Sequence, residues 1–263
     1  MDEEKTNGAL FEELLDIVAR LRGQGGCPWD REQTRESLKP LMLEELYEAF
    51  DAIDREDEMS LREELGDMLL HIVFHAQIGK EKGSFTMQEV LEGIIYKMKK
   101  RHPHVFGELQ VQDVDEVLLN WEKIKDTERQ EGEGMLASLP RTLPALLRAF
   151  AIQSRAARVG FDWKNALEVE SKVREEWQEF KAAWNREDVA SMEEEWGDLV
   201  FALVNLARHL HIQPEEALRK SCDRFVRRFG FVEKRVKEEG KTLENVTLEE
   251  MDALWEEAKR ERL

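Results

Sequence analysis

The chain has 263 residues, 41% hydrophobic and 37% charged, with a net charge of −18 and only 6 Pro and 2 Tyr. That length holds two domains with modest cores, and so anionic a surface repels polynucleotides and anionic membranes. With no membrane-length apolar run, an acidic start unlike a signal peptide, and two cysteines (Cys27, Cys222) lacking metal-site spacing, a soluble cytoplasmic protein is expected.

In chain order, Leu10, Phe11, Leu14, Leu15, Val18 and Leu21 fall at helical spacing and stop at Gly23-Gln-Gly-Gly26. Cys27-Pro-Trp-Asp30 reads as a loop. A helix is predicted over 37–55, with Pro40 tolerable in its first turn. Ser60-x-x-Glu63 has the form of a capping box opening a helix that runs to about Lys80. Further helices are predicted over 86–101, ended by Pro103, and over 113–129. The Gly and Pro content of 130–144 marks a linker. Beyond it the plan repeats, with helices near 142–158, 166–185, 191–210, 214–236 and 247–262 and a loop at Gly160-Phe-Asp-Trp163. No strand pattern is present. The expectation is an all-α protein of two tandem helical bundles, 1–129 and 145–263, joined by the linker 130–144.

The two halves share one carboxylate pattern. Glu44-Glu45-Leu-Tyr-Glu48, Arg55-Glu56-Asp57 and Ser60-Leu-Arg-Glu63-Glu64-Leu-Gly66-Asp67 recur as Glu175-Glu176-Trp-Gln-Glu179, Arg186-Glu187-Asp188 and Ser191-Met-Glu-Glu194-Glu195-Trp-Gly197-Asp198. A single shift of 131 residues, as from Glu45 to Glu176, superimposes them without a gap. This is an internal duplication, and it retained acids.

Residues three apart share a helix face, so Glu45 with Glu48 and Glu64 with Asp67 project together, and a short loop makes the two helices antiparallel neighbours. Four carboxylates then converge in each half: Glu45, Glu48, Glu64 and Asp67 in the first, Glu176, Glu179, Glu195 and Asp198 in the second. Such a cluster repels itself, and all-oxygen ligands suit magnesium, with manganese as substitute. The plain alternative is a solvated acidic helix face. Against it, Leu65, Leu69 and Leu70 are interspersed with the acids, as are Trp196, Val200 and Phe201 in the second copy. A glycine precedes each Asp at mid-helix, leaving a gap in side-chain cover. A di-iron reading needs Glu-x-x-His, yet the counterparts of His71 and His75 are Ala202 and Leu206.

Lys97 and Arg101, and in the second half Arg224 and Arg228, form cationic pairs four residues apart that suit phosphates, or serve as cations at a helix C-terminus. Trp121 with Lys125, and Trp255 with Lys259, place a ring beside a cation, fit for a nucleotide or for core packing. A non-catalytic helical scaffold is the competing class; it has no use for a duplicated set of acids, bases and Trp-Lys pairs.

Taken with Gly26-Cys-Pro-Trp-Asp30, Arg101-His-Pro-His-Val-Phe106, Val159-Gly-Phe-Asp-Trp163 and Asn205-Leu-Ala-Arg-His-Leu210, these blocks resemble the two-domain bacterial form of the MazG family of nucleoside triphosphate pyrophosphohydrolases over nearly the whole chain. The resemblance implies an all-α homodimer that hydrolyses nucleoside triphosphates at the α-phosphorus to monophosphate and pyrophosphate, clearing the nucleotide pool. It implies magnesium held by Glu176, Glu179, Glu195 and Asp198, phosphate contacts from Lys172, Arg224 and Arg228, and nucleotide contacts from Trp255 and Lys259. Glu175, and Glu44 in the first half, are candidates for orienting or deprotonating the attacking water. The C-terminal site is the main one, because the first half has Leu41 where the second has Lys172. No Gly-rich phosphate loop is present, so metals and side chains must hold the triphosphate.

Overall fold

The computed structural model describes residues 5–114, 116, 117, 120, 121, 124 and 134–261. Their regular structure is entirely helical, and the chain divides into two compact units, Met1–Arg129 and Gln130–Leu263. The first contains α1 (Asn7–Arg22), α2 (Pro28–Glu32), α3 (Leu38–Asp54), α4 (Glu58–Glu81), α5 (Met87–Arg101) and α6 (Pro103–Phe106). The second contains α7 (Ala145–Arg158), α8 (Ala166–Asn185), α9 (Val189–His209), α10 (Pro214–Glu238), a 3-10 turn at Leu243–Asn245 and α11 (Leu248–Arg260). Most of the helix expected over 113–129 lies outside the described residues, as does the first part of the 130–144 segment.

Two short elements depart from the sequence reading. Cys27-Pro-Trp-Asp30, read as a loop, holds the one-turn helix α2, and Pro103, read as a helix end, begins the one-turn helix α6, each with its proline in the first turn. Proline lacks an N–H that would be unpaired there anyway, so the residue that suggested a break in fact starts a turn.

Four residues of the α1 stripe enter the core as its spacing predicts, while Leu10 is exposed. Val18 is buried with Leu38, Val73, Phe74 and Ile78, and Phe11, Leu14, Leu15, Leu41 and Leu70 pack against that cluster. At the end of α1, Arg22 grips both carboxylate oxygens of Glu81 at 2.8 and 2.9 Å and donates to the Asp30 carbonyl at 2.6 Å, tying α1, α2 and α4 together.

The duplicated core of each unit is a helix pair, α3 with α4 and α8 with α9. The connections match in detail. Arg55 and Arg186 end their helices, and the next residues, Glu56 and Glu187, both sit at φ 55°. The Asp57 amide bonds Ala52 O at 2.9 Å, and the Asp188 amide bonds Ala183 O at 3.3 Å. This six-residue closure is the Schellman pattern, here with glutamate where glycine is usual. Asp57 and Asp188 then cap the next helices. Each accepts from the backbone and hydroxyl of a serine three residues on, Ser60 at 3.1 and 2.8 Å and Ser191 at 3.3 and 2.6 Å. The expected Ser-led capping boxes are therefore replaced by Asp caps one turn earlier, since a carboxylate accepts more strongly than a hydroxyl.

A left-handed glutamate is strained by roughly 1–2 kcal/mol, partly offset by the greater unfolded-state freedom of glycine. Glu187→Gly should therefore stabilise the protein by about 0.5–1 kcal/mol. A thermal melt followed by circular dichroism should rise by a few degrees; a fall would mean that the Glu187 side chain stabilises the turn.

Candidate active site

In the second unit α8 carries Lys172, Glu175, Glu176 and Glu179, and α9 carries Glu195 and Asp198. Carboxylate oxygens of Glu176, Glu179 and Glu195 lie within 4.8 Å of one another. Glu176 is buried, only 6% exposed, while Glu179 is exposed. Desolvation, then the charges of Glu176 and Glu195, raise the proton affinity of Glu179 above the ordinary glutamate range. Lys172 Nζ lies 2.7 Å from Glu176 and 2.8 Å from Glu175, and these two acids hold its ammonium firmly protonated. A buried carboxylate needs such a partner, and Lys172 supplies it from one turn earlier on the same helix.

Beside this cluster opens a cavity of about 570 Å³. Lys172, Glu176, Asp198, Asp162 and Arg208 are its charged lining, Val169 and Ala202 part of its apolar lining, and Trp163 lines it from the loop before α8. Asp198 thus shares the cavity with Glu176. The loop is held by Asp162, which accepts from Arg208 and lies 3.1 Å from His209 Nε2, both at the end of α9. Hydrogen bonds from Arg208, His209 and the Trp163 amide hold the Asp162 carboxyl below its usual range despite desolvation. Nothing in the sequence pairs Asp162 with Arg208, because the contact spans 46 residues.

The first unit repeats the acids without the cavity lining. Oxygens of Glu45, Glu48 and Glu64 lie within 4.8 Å. Desolvation and the neighbouring charges of Asp67, Glu48 and Glu44 push the Glu45 carboxyl up, and Glu64 is shifted the same way by burial and by Glu48. One 131-residue shift earlier, Val169, Lys172, Ala202 and Asn205 of the cavity become Leu38, Leu41, His71 and Phe74. Leu38 and Phe74 are buried in the core, with Leu41 packed against it. Buried His71, whose proton affinity desolvation lowers, has Nε2 3.8 Å from Glu45 Oε1. Three of these four side chains, Leu38, His71 and Phe74, are larger than their counterparts in the second copy.

At Gly66 and Gly197 an added Cβ would meet no atom within 4 Å, so space is open beside both acid-bearing helices.

The cationic and aromatic candidates form separate groups. Arg228 lies over the Trp255 ring at 5.9 Å, and Trp255 packs on Phe225 at 5.0 Å between centroids. Arg101 lies over Trp121 at 5.8 Å, so an Arg-on-Trp contact is present in both units. Lys259 pairs with Glu256 one turn away. Lys97 and Arg224 are exposed, as is Glu44, and Lys125 lies outside the described residues. Arg224, Arg228, Trp255 and Lys259 are not among the residues lining the cavity.

The described residues thus form an all-α protein of duplicated helix pairs that present carboxylate clusters, one beside a cavity with a lysine in its wall. A sequence model of the MazG nucleotide pyrophosphohydrolase domain matches residues 33–106 and again 165–230. The chain is 44% identical over 256 residues to the nucleoside triphosphate pyrophosphohydrolase/pyrophosphatase MazG of Thermotoga maritima, covering 97% of this chain and 98% of that one. It is 46% identical over 258 residues to the nucleoside triphosphate pyrophosphohydrolase of Escherichia coli K12, covering 96% and 98%. It is also 48% identical over 259 residues to the uncharacterized protein YabN of Bacillus subtilis, covering 98% of this chain and 53% of that one. The chain belongs to the MazG nucleotide pyrophosphohydrolase family.

Proposed function

We propose that the second unit hydrolyses nucleoside triphosphates at the α-phosphorus, giving nucleoside monophosphate and pyrophosphate, and that the first unit contributes little turnover. The observation that carries this reading is the cavity whose charged wall holds Lys172, Glu176 and Asp198 next to clustered Glu179 and Glu195. The donor set is all oxygen, with three carboxylates clustered within 4.8 Å, so it fits a hard divalent cation such as magnesium. Glu176, Glu179, Glu195 and Asp198 would hold the ion, which supplies neutralisation and polarisation of the phosphate oxygens.

The chain's own groups do the rest. Lys172 and, on α10, Arg224 and Arg228 bind phosphate oxygens and spread the charge that develops on the leaving pyrophosphate. Trp255 and Lys259 contact the nucleotide. Water oxygen bonds to the α-phosphorus as the bond from that phosphorus to the bridging oxygen breaks, and the water proton passes to a carboxylate. Glu175 is exposed to solvent and takes the role of orienting and deprotonating the water, with Lys172 hydrogen-bonded to it. Glu44 has the same place in the first unit, where Lys97, Arg101, Trp121 and Lys125 complete the second set.

A homodimer fits the apolar surface of the helix pair. Trp177, Trp184 and Trp196 are exposed and ring-packed around Phe180, a patch that a second copy would cover. Among the described residues no helix is long and apolar enough to cross a membrane. Clearance of nucleotides from the cytoplasmic pool is the role this chemistry serves.

The test is product analysis. With magnesium and oxygen-18-labelled water, ATP should yield AMP and pyrophosphate, with the label in AMP. ADP and orthophosphate, or label in pyrophosphate, would place the attack elsewhere. No turnover of any nucleoside triphosphate with magnesium or manganese would defeat the reading.

A further inference from the structure

One stretch of the cavity lining is held in place by a carboxylate rather than by packing. Gly160, Phe161, Asp162 and Trp163, which lead from α7 to α8, all line the cavity. Gly160 takes φ 83°, and the Phe161 amide closes on Ala156 O at 3.1 Å, so the chain turns sharply off α7. Phe161 is then 83% exposed and Trp163 45%, so neither ring has the burial that would anchor the segment. A surface loop with so little buried apolar area opens at small cost unless polar contacts hold it.

Asp162 supplies those contacts. Its Oδ1 accepts from Arg208 Nη2 and from the Trp163 amide at 2.9 Å, and lies 3.1 Å from His209 Nε2. Arg208 is fixed in turn, its Nε and Nη2 donating to Asn205 Oδ1 at 3.1 and 2.8 Å. The side chains of Asp162, Arg208 and His209 are largely buried, so water competes weakly for these charge-assisted bonds. Arg208 and His209 end α9, the helix that carries Glu195 and Asp198, while the loop runs directly into α8, which carries Lys172 and Glu176. Asp162 therefore clasps the acid-bearing helix pair at the end opposite its 186–188 connection. One 131-residue shift earlier, Arg208 and His209 become Gln77 and Ile78, so the first unit has no such clasp.

We infer that Asp162 is a positioning residue for the hydrolysis: by tying Gly160–Trp163 to the end of α9, it keeps that part of the cavity formed before substrate arrives. The inference rests on the triphosphate reading above and adds which group prepares the site. In this role Asp162 acts through the loop, not by touching substrate. Without it the loop would be ordered only on binding, and the lost conformational entropy would weaken affinity. A wall that serves substrate and transition state alike changes KM and leaves kcat. Lys172 and the acids stand on long helices that persist without the clasp, so the chemical step survives its loss.

In Asp162→Ala the KM for ATP with magnesium should rise by about ten-fold, while kcat changes by no more than about two-fold. Asp162→Asn keeps an oxygen that can accept from Arg208 and the Trp163 amide, and should hold KM within about three-fold of wild type. In an Arg208→Ala background, Asp162→Ala should add less than about two-fold, because most of the clasp is already open. A merely structural aspartate predicts instead a lower melting temperature with unchanged KM in the folded protein. That outcome, a fall in kcat at constant KM, or effects of Asp162 and Arg208 that multiply would overturn the assignment. Hydrogen exchange followed by mass spectrometry needs neither a variant nor turnover. In the wild-type protein without nucleotide, peptides covering 159–165 should exchange at least about ten-fold more slowly than an unstructured chain, and AMP should slow them further by no more than about two-fold. Exchange at the rate of a free chain, or protection that comes only with AMP, would overturn the proposal even if no variant folds. ATP turnover with a KM indifferent to Asp162 sinks this inference alone; absence of all turnover sinks the reading beneath it.

Discussion

Glu176→Gln combined with Glu179→Gln should lower triphosphate hydrolysis by at least about 100-fold, while Glu45→Gln with Glu48→Gln should lower it by no more than a few-fold. Glutamine keeps the size and removes the charge, so the loss reports on ligation rather than packing. The asymmetry is expected because the two clusters differ in what stands next to them. Glu176 has Lys172 at 2.7 Å and a cavity, whereas Glu45 has Leu41 one turn earlier and a filled core. Both pairs should be assayed at saturating magnesium, with circular dichroism confirming the fold. Equal losses would mean two equivalent or coupled sites, and a larger loss from the first pair would reverse the assignment.

Rebuilding the second cavity on the pattern of the first should be as damaging. Lys172→Leu with Asn205→Phe installs the residues that Leu41 and Phe74 provide in the first unit. It removes a proposed phosphate contact and puts a ring into the cavity. Hydrolysis should fall by about 100-fold or more. The fold should survive, because the first unit already packs a leucine and a phenylalanine beside the same acids. A folded double variant with ordinary turnover would show that substrate does not enter this cavity.

Much of the fold was legible because helices announce themselves locally. The α1 stripe, the paired acid helices and the shift of 131 follow from spacing alone, and the helix predicted over 166–185 matches α8. Helix starts were less legible. Serines in Ser-x-x-Glu are ambiguous, and the true caps, Asp57 and Asp188, were hidden in the loop that the sequence also marked. The acids could be found because their chemistry is unusual in an apolar setting. The cavity could not, since spacing says nothing of side-chain volume, which differs between aligned positions such as Val169 against Leu38 and Ala202 against His71. The clasp at Asp162 was hidden too. A single aspartate in a loop signals nothing until the fold brings Arg208 and His209 against it.

The ion pair between Lys172 and Glu176 gives the duplication a second meaning. A bare anion in a protein interior violates local electroneutrality, and the two copies restore it by different means. In the second unit an ammonium one turn away balances the charge, and that ammonium is held protonated. In the first unit no lysine occupies that place, and the Glu45 carboxyl instead binds its proton more tightly. The duplicated acid thus has an ammonium beside it in one copy and a raised proton affinity in the other. Only the first solution leaves behind a cation that can be transferred, without leaving the site, from the protein's own carboxylate to an incoming anion.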